Sequence, residues 1–162
     1  PLLALMRDSR ANILILSPPG GGKTTLLREF VRVLSSGGVR VSVADERGEI
    51  AAVYAGRPQF DLGKSCDVMT DVPKAQAVMM LLRSMNPQVI AMDELSSSDD
   101  IGAALSAAGC GVRLIATVHA ASAHDLSKRP VYRELISSGI FTDIVTIHNE
   151  NGQRSYSCEV LS

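Results

Sequence analysis

The sequence predicts an α/β fold: a largely parallel sheet flanked by helices. Three observations point there. Short apolar runs alternate with longer stretches of helical periodicity. Glycines, or an Asn-Pro pair, punctuate the boundaries between them. The glycine-rich, acidic and histidine-bearing segments sit just after four of the apolar runs, following Leu16, Ala44, Met92 and Val118. Loops at the carboxyl ends of parallel strands are where such sheets hold ligands. With 162 residues, 46% of them hydrophobic, the chain can build one domain with a real core.

The elements follow in order. Residues 13–16 read as a buried strand. Residues 24–34 read as a helix with Leu26, Leu27, Phe30, Val31 and Leu34 on a shared face, ended by Ser35-Ser36-Gly37-Gly38. Residues 39–44 alternate apolar and polar side chains, as a second strand would. Residues 46–70 carry several glycines and Pro58 and read as loops around short elements. Asp71 is a candidate cap, and Pro73 opens a helix running to about residue 85, where Asn86-Pro87 stops it. Val89–Met92 is the next strand. Residues 99–108 are helical and closed by Gly109 and Gly111; residues 114–118 form another strand. Pro130 begins a helix that reaches Ser138-Gly139. Residues 141–147 and 155–161 are expected to close the fold as a hairpin around Asn151-Gly152. No internal repeat is visible.

Composition narrows the function classes. The formal net charge is -1 and no strongly basic stretch stands out, which weighs against nucleic-acid binding by bulk electrostatics. Cys66, Cys110 and Cys158 are widely spaced and form no CxxC pair, so a reducing compartment is expected rather than a disulfide framework or zinc site. No apolar run approaches the roughly 18 residues of a membrane span and no signal peptide is recognisable, so no membrane insertion is expected. The chain begins with Pro rather than Met, which suggests a fragment of a longer protein.

Four segments carry chemistry. "SPPGGGKTT", residues 17–25, joins a strand to a helix. A phosphate-binding loop needs backbone N–H groups turned inward around an anion with no side chains in the way, and Gly20, Gly21 and Gly22 permit both. Lys23 is placed to reach the β- and γ-phosphates of a nucleotide, and the Thr24 hydroxyl to ligate Mg²⁺. Pro19, Gly20, Gly21, Gly22, Lys23, Thr24 and Thr25 are therefore the expected nucleotide-binding residues. The usual motif is G-x-x-x-x-G-K-[ST]; Ser17 replaces its first Gly at the strand end, where tolerance is expected. The competing reading is a plain Gly-rich turn.

"VIAMDEL" ends an apolar strand in Asp93-Glu94. Asp93 would hold the Mg²⁺ shell through Thr24 and water, and Glu94 could polarise the attacking water as general base. "SVADERGE" places Asp45 and Glu46 at another strand end, facing the same crevice; Glu46 rivals Glu94 as base, against the reading of surface charge paired with Arg47. "IATVHAAS" offers Thr117 or His119 as a γ-phosphate sensor. His119 and His124 are five apart and no carboxylate or thiol completes a ligand set, so a histidine metal site is rejected.

The order of these features resembles the secretion-type ATPases that power type II and type IV secretion and pilus motors. "SPPGGGKTTLLREFVRVLSSGG", "VADERGEIA", "PKAQAVMMLLRSMNPQVIAMDE", "LIATVHAAS", "RPVYRELI" and "GIFTDIVTI" together are similar to the stage III sporulation protein AA family, over most of residues 13–147. The resemblance implies a RecA-like P-loop NTPase over residues 1–162, taken as the C-terminal part of a longer protein. It implies ATP and Mg²⁺ as cofactors, with Glu46, Asp93, Glu94 and His119 lining the nucleotide site; with Lys23 of the loop, Glu46, Glu94 and His119 are the expected catalytic residues. It further implies a hexameric ring on the mother-cell side of a membrane channel to the forespore, docked on the membrane proteins of that channel. Three departures stand out: Ser17; Ser96-Ser97-Ser98, where Gly and a basic residue are usual; and Lys64-Ser65-Cys66 before Asp67, where an arginine is common. Arg47, Arg129 and Arg133 are the in-chain candidates for a charge beside the terminal phosphate.

Three functional readings follow: an ATP-hydrolysing motor, a nucleotide-binding switch that hydrolyses little, and a RecA-like nucleic-acid motor. An intact Lys23, Asp93 and Glu94 set favours the first.

Overall fold

The sheet order is β3-β2-β4-β5-β1-β6-β7. In chain order the elements are α1 (Leu2–Arg7), β1 (Ile13–Ser17), α2 (Lys23–Ser36), β2 (Val41–Asp45), β3 (Cys66–Thr70), α3 (Lys74–Ser84), β4 (Val89–Met92), α4 (Ser98–Gly109), β5 (Arg113–His119), α5 (Ala123–Lys128), α6 (Pro130–Ser137), β6 (Asp143–Glu150) and β7 (Gln153–Val160). The structure is a computed structural model that describes residues 1–8 and 10–161. Strands β1 to β6 run parallel, and only β7 is antiparallel, to β6.

Strand side chains alternate between faces, so each inner strand feeds two cores. Leu14, Leu16, Ile90, Met92, Leu114 and Ala116 pack under α3, α4 and α6, with Ala77, Val78, Leu81, Ala104, Ala107 and Leu135. Ile13, Ile15, Val41, Val43, Val89, Ala91 and Ile115 face the other way, onto α1 and α2 with Met6, Leu27, Phe30 and Val31. The carboxyl ends of β1, β2, β4 and β5 therefore share one rim, and the chemistry-bearing loops sit on it.

Several boundaries differ from the sequence reading. β3 lies inside the stretch read as loops: it is an edge strand, only half buried, and its Cys-Asp-Val-Met-Thr sequence has no continuous apolar run. α1 and α5, six residues each, are too short to show a periodicity. Val39 belongs to the turn closing α2, its N–H donating to Leu34 O, so β2 starts at Val41. Asp71 is not a cap: it has φ +60°, and Pro73 holds the N-cap position of α3. The closing hairpin is tighter than expected: β6 and β7 run right up to Asn151-Gly152, with positive φ at both turn residues.

Candidate functional site

The glycine run solves two separate problems. Gly20 and Gly22 have φ of +74° and +96°, the left-handed region that side chains disfavour. A Cβ on Gly21 would overlap the Ser17 hydroxyl and stand 2.7 Å from Ser17 Cβ. Ser17 lies at the strand end, as expected, and packs directly against the glycine run. It is fully buried on the loop's floor, its Oγ donating to Pro18 O at 2.8 Å. Pro19 turns outward: with Pro18 it lines a groove against His119, Ala120 and Ala121 rather than the cavity over the loop.

Lys23, the first residue of α2, is 5% exposed. Its ammonium donates to Ser17 O and Pro18 O, both at 3.3 Å, and lies 2.8 Å from His119 Nδ1. Burial pushes the Lys23 pKa below its usual value, and the Asp93 and Glu94 carboxylates partly restore it.

One residue on, the Thr24 hydroxyl donates to Asp93 Oδ2 at 2.8 Å. Thr117, fully buried on β5, donates to Asp93 Oδ1 at 2.5 Å and accepts the Glu94 N–H at 2.7 Å. Thr117 is therefore committed to holding the Asp-Glu pair and does not face the cavity as a sensor. Glu94 adopts φ +51°. Its carbonyl accepts from Lys74 Nζ at 2.7 Å, and the next carbonyl, of Leu95, accepts from the Tyr132 hydroxyl at 2.9 Å. Glu94 Oε2 pairs with Arg47 at 2.6 Å and Oε1 lies 3.3 Å from His119 Nε2.

A cavity of about 380 Å³ covers the loop and brings together Gly20, Gly22, Lys23, Thr24, Thr25, Asp93, Glu94 and His119. Glu46 is not among them. It belongs to an adjoining chamber of about 270 Å³, also shared by Asp93 and Glu94, where its carboxylate accepts the Lys74 backbone N–H at 3.2 Å. Asp45 also departs from expectation: buried, it turns back to accept the Ile50 and Ala51 N–H groups at 3.1 and 2.9 Å. The buried Lys74 ammonium lies 3.6 Å from Asp100 and 3.9 Å from Glu46. Of the arginines proposed from sequence, Arg47 holds Glu94, and Arg129 donates to His119 O at 2.7 Å and pairs with Asp125.

Sequence reasoning missed three residues here. Glu49 lines both chambers, Lys74 anchors the Glu94 backbone, and Arg154 of β7 reaches the loop cavity. A signal existed for Arg154: a two-residue Asn-Gly turn implies strands that extend right to it. Among the described residues no group of three or more His, Cys, Asp or Glu side chains is arranged to hold a metal alone. The hydroxyl and carboxylate at Thr24 and Asp93 are hard oxygen donors, suited to Mg²⁺ that shares its shell with phosphates and water.

The family described as "Sporulation stage III, protein AA" matches residues 2–157. The chain is 39% identical over 163 residues to stage III sporulation protein AA of Bacillus subtilis (strain 168), a match covering 97% of this chain and 53% of that protein. It thus spans about half the length of that relative. Among solved structures, the VirB11 ATPase of the Brucella suis type IV secretion system, in complex with sulphate, matches with TM-score 0.71 at 19% identity, over 98% of this chain and 56% of that one. The pilus retraction motor PilT with bound ADP matches with TM-score 0.71 at 20% identity, over 99% of this chain and 50% of that one. These structures share the RecA-like α/β fold with this chain. A family match over nearly every residue, and this identity to a member, establish that the chain belongs to the sporulation stage III protein AA family.

Proposed function

We propose that the chain is the ATP-binding and ATP-hydrolysing domain of a motor serving a secretion-like channel between mother cell and forespore. The observation that carries the chemistry is the 2.8 Å hydrogen bond from Thr24 to Asp93. It joins the end of the glycine loop to the acidic end of β4, which is what holding Mg²⁺ beside a nucleotide's phosphates requires. Family membership and the fold shared with secretion and pilus ATPases support the biological setting.

In this reading Gly20 to Thr25 cradle the phosphates with backbone N–H groups. Lys23 exchanges the carbonyls of Ser17 and Pro18 for phosphate oxygens, so its ammonium is already held at the loop before nucleotide arrives. Thr24 and Asp93 hold Mg²⁺, which would neutralise charge developing on the phosphates. Glu94 is assigned as general base over Glu46, because Glu94 lines the cavity over the loop and Glu46 is bonded to the start of α3. His119 lies between Lys23 and Glu94, placed to couple a terminal phosphate to the base. The motor is proposed to work as a ring, hexameric by family resemblance, on the mother-cell face of membrane proteins of the channel. Among the described residues no helix is long and apolar enough to cross a membrane.

A nucleotide switch with little hydrolysis is the second reading, favoured by the Arg47 ion pair that occupies Glu94. Binding of fluorescent ADP, and phosphate release from ATP with Mg²⁺ or EDTA, test the proposal in the native chain and in Lys23→Ala. Binding that collapses in Lys23→Ala, with Mg²⁺-dependent release, is expected. Equal nucleotide affinity in a folded Lys23→Ala variant overturns the phosphate-loop assignment; tight binding without release in any assembled form favours the switch.

A further inference from the structure

We propose that Arg154, from the closing hairpin, is a phosphate-binding residue supplied in cis, and that nucleotide occupancy pins the β6–β7 hairpin to the loop. The inference rests on nucleotide binding at that loop and adds a residue and a mechanical link to it.

The geometry follows from register. β1 pairs with β6 as far as Leu16 opposite Thr146. Beyond that level β1 turns into the glycine loop, while β6 continues to Glu150 and β7 returns from Gln153. Four residues of strand, 147–150, carry the hairpin about 13 Å past the end of the shared ladder. Its tip therefore flanks the loop. Arg154 stands opposite Asn149, one pair from the turn.

The guanidinium lies against the loop itself. A Cβ added to Gly22 would stand 3.1 Å from Arg154 Cζ and Nη1 and 3.4 Å from Nη2, so the fork rests on the backbone at the N-cap of α2. It lines the same cavity as Lys23, Thr24 and Asp93. Among the described residues the guanidinium has no ion-pair or hydrogen-bond partner, although Asp93, Glu94 and Glu49 line that cavity with it. The other arginines near the loop, Arg47 and Arg129, are already paired. An unpaired planar fork in the same cavity as the Lys23 ammonium is suited to an oxyanion with two oxygens to offer, such as a phosphate.

Position selects which phosphate. The loop backbone cradles the α- and β-phosphates and the lysine reaches the β and γ. Arg154 rests on the backbone at Gly22, whereas the Lys23 ammonium points to His119. Its contact is therefore to the α/β-diphosphate, common to ADP and ATP. The consequence is mechanical: a diphosphate held by both adds a charged tie to the packing of Arg154 on the loop, and product release removes that tie.

The test measures ADP and ATP affinity, in buffer free of phosphate and sulfate, for the full chain, Arg154→Ala, Arg154→Lys and Lys23→Ala. Amide hydrogen exchange at residues 148–156 is followed with and without ADP. Arg154→Ala should weaken ADP and ATP alike, each by about tenfold, the scale of one charge-assisted contact at an exposed site. Arg154→Lys should fall between. ADP should slow exchange in the native hairpin and not in Arg154→Ala. Unchanged or tighter binding in Arg154→Ala, while Lys23→Ala still loses nucleotide, overturns this inference and leaves the phosphate-loop reading standing. A loss confined to ATP overturns the α/β assignment. Failure of the native chain to bind either nucleotide overturns both.

Discussion

Glu94 is held at four points: its N–H by Thr117, its carbonyl by Lys74, and its two carboxylate oxygens by Arg47 and near His119. A non-glycine residue at φ +51° persists only where its surroundings over-determine it, and such residues gather at functional sites. If Glu94 is the base, Glu94→Gln keeps the shape and removes proton acceptance. ATP affinity should then survive while phosphate release falls by about 10²–10⁴-fold. Glu46→Gln should cost far less, because that carboxylate is bonded at the start of α3; the reverse ranking would exchange the two assignments. Ser17 and Gly21 make a second residue-scale test. Gly21→Ala drives a methyl into the Ser17 side chain and should destabilise by about 1–3 kcal/mol, as overpacking does. Adding Ser17→Gly should recover most of that loss, a coupling readable by urea denaturation of the two single variants and the double. That Lys23, Thr24, Asp93 and Glu94 meet around one cavity was legible in the sequence, because each follows an apolar strand of a parallel sheet. The partners that aim them were not. Lys74 lies 20 residues from Glu94 and Thr117 24 from Asp93, and only folding brings them together.

At the scale of elements, α4 shows how a local signal is turned to the site's use. Ser97 and Asp100 form a reciprocal capping box at its start. Asp100 Oδ2 accepts the Ser96 and Ser97 N–H groups at 3.0 and 3.1 Å and faces the Lys74 ammonium, so one cap fixes both α4 and the lysine under Glu94. Burial works to raise the Asp100 pKa, but the hydrogen bonds and Lys74 outweigh it and hold the carboxyl below its ordinary 3.8. A carboxyl with a lowered native pKa contributes stability that is complete above 3.8 and lost as pH falls through the native value. Asp100→Asn removes the charge from the bonds to Ser96 and Ser97 and should therefore cost about 1–2 kcal/mol at pH 7. The gap between the two proteins, followed by thermal melts from pH 7 downward, should begin to close below pH 3.8. A gap constant with pH would show that shape rather than charge sets the cap. Elements with strong periodicity, such as α2, or with continuous apolar runs, such as β1 and β4, were visible before folding. The edge strand β3 was not, because it is half solvated and its pattern is set by pairing to β2 rather than by burial. The hairpin's turn is legible at Asn151-Gly152, but residues 148–154 carry no apolar side chain to mark them as strand, and Arg154 lies among them.

At the scale of the whole molecule, the proposed base, Glu94, is occupied by an ion pair with Arg47. Arg47 has a side chain 62% exposed, and it pairs with the carboxylate that the proposed mechanism needs as proton acceptor. A general base needs an oxygen aimed at water, so turnover requires the pair to open. The exposed arginine is within reach of whatever packs on this rim, and a neighbouring copy or an additional domain is the natural agent. The chain spans 53% of its Bacillus subtilis relative, so a second region of similar size is available in that protein to make such contacts. We therefore expect the 162 residues alone to be mostly monomeric and a weak ATPase. A version extended to the relative's length should assemble into a ring, and its rate per subunit should rise with protein concentration. A charge inserted from outside can be worth roughly 10³–10⁵ in rate for phosphoryl transfer, so the difference should be large. Light scattering and phosphate release, measured on both lengths across a dilution series, decide the matter. A 162-residue chain that already forms a stable ring would show that assembly needs no additional region, and one that hydrolyses ATP when dilute and monomeric as fast as the longer protein does when assembled would show that Arg47 releases Glu94 without help from a neighbour.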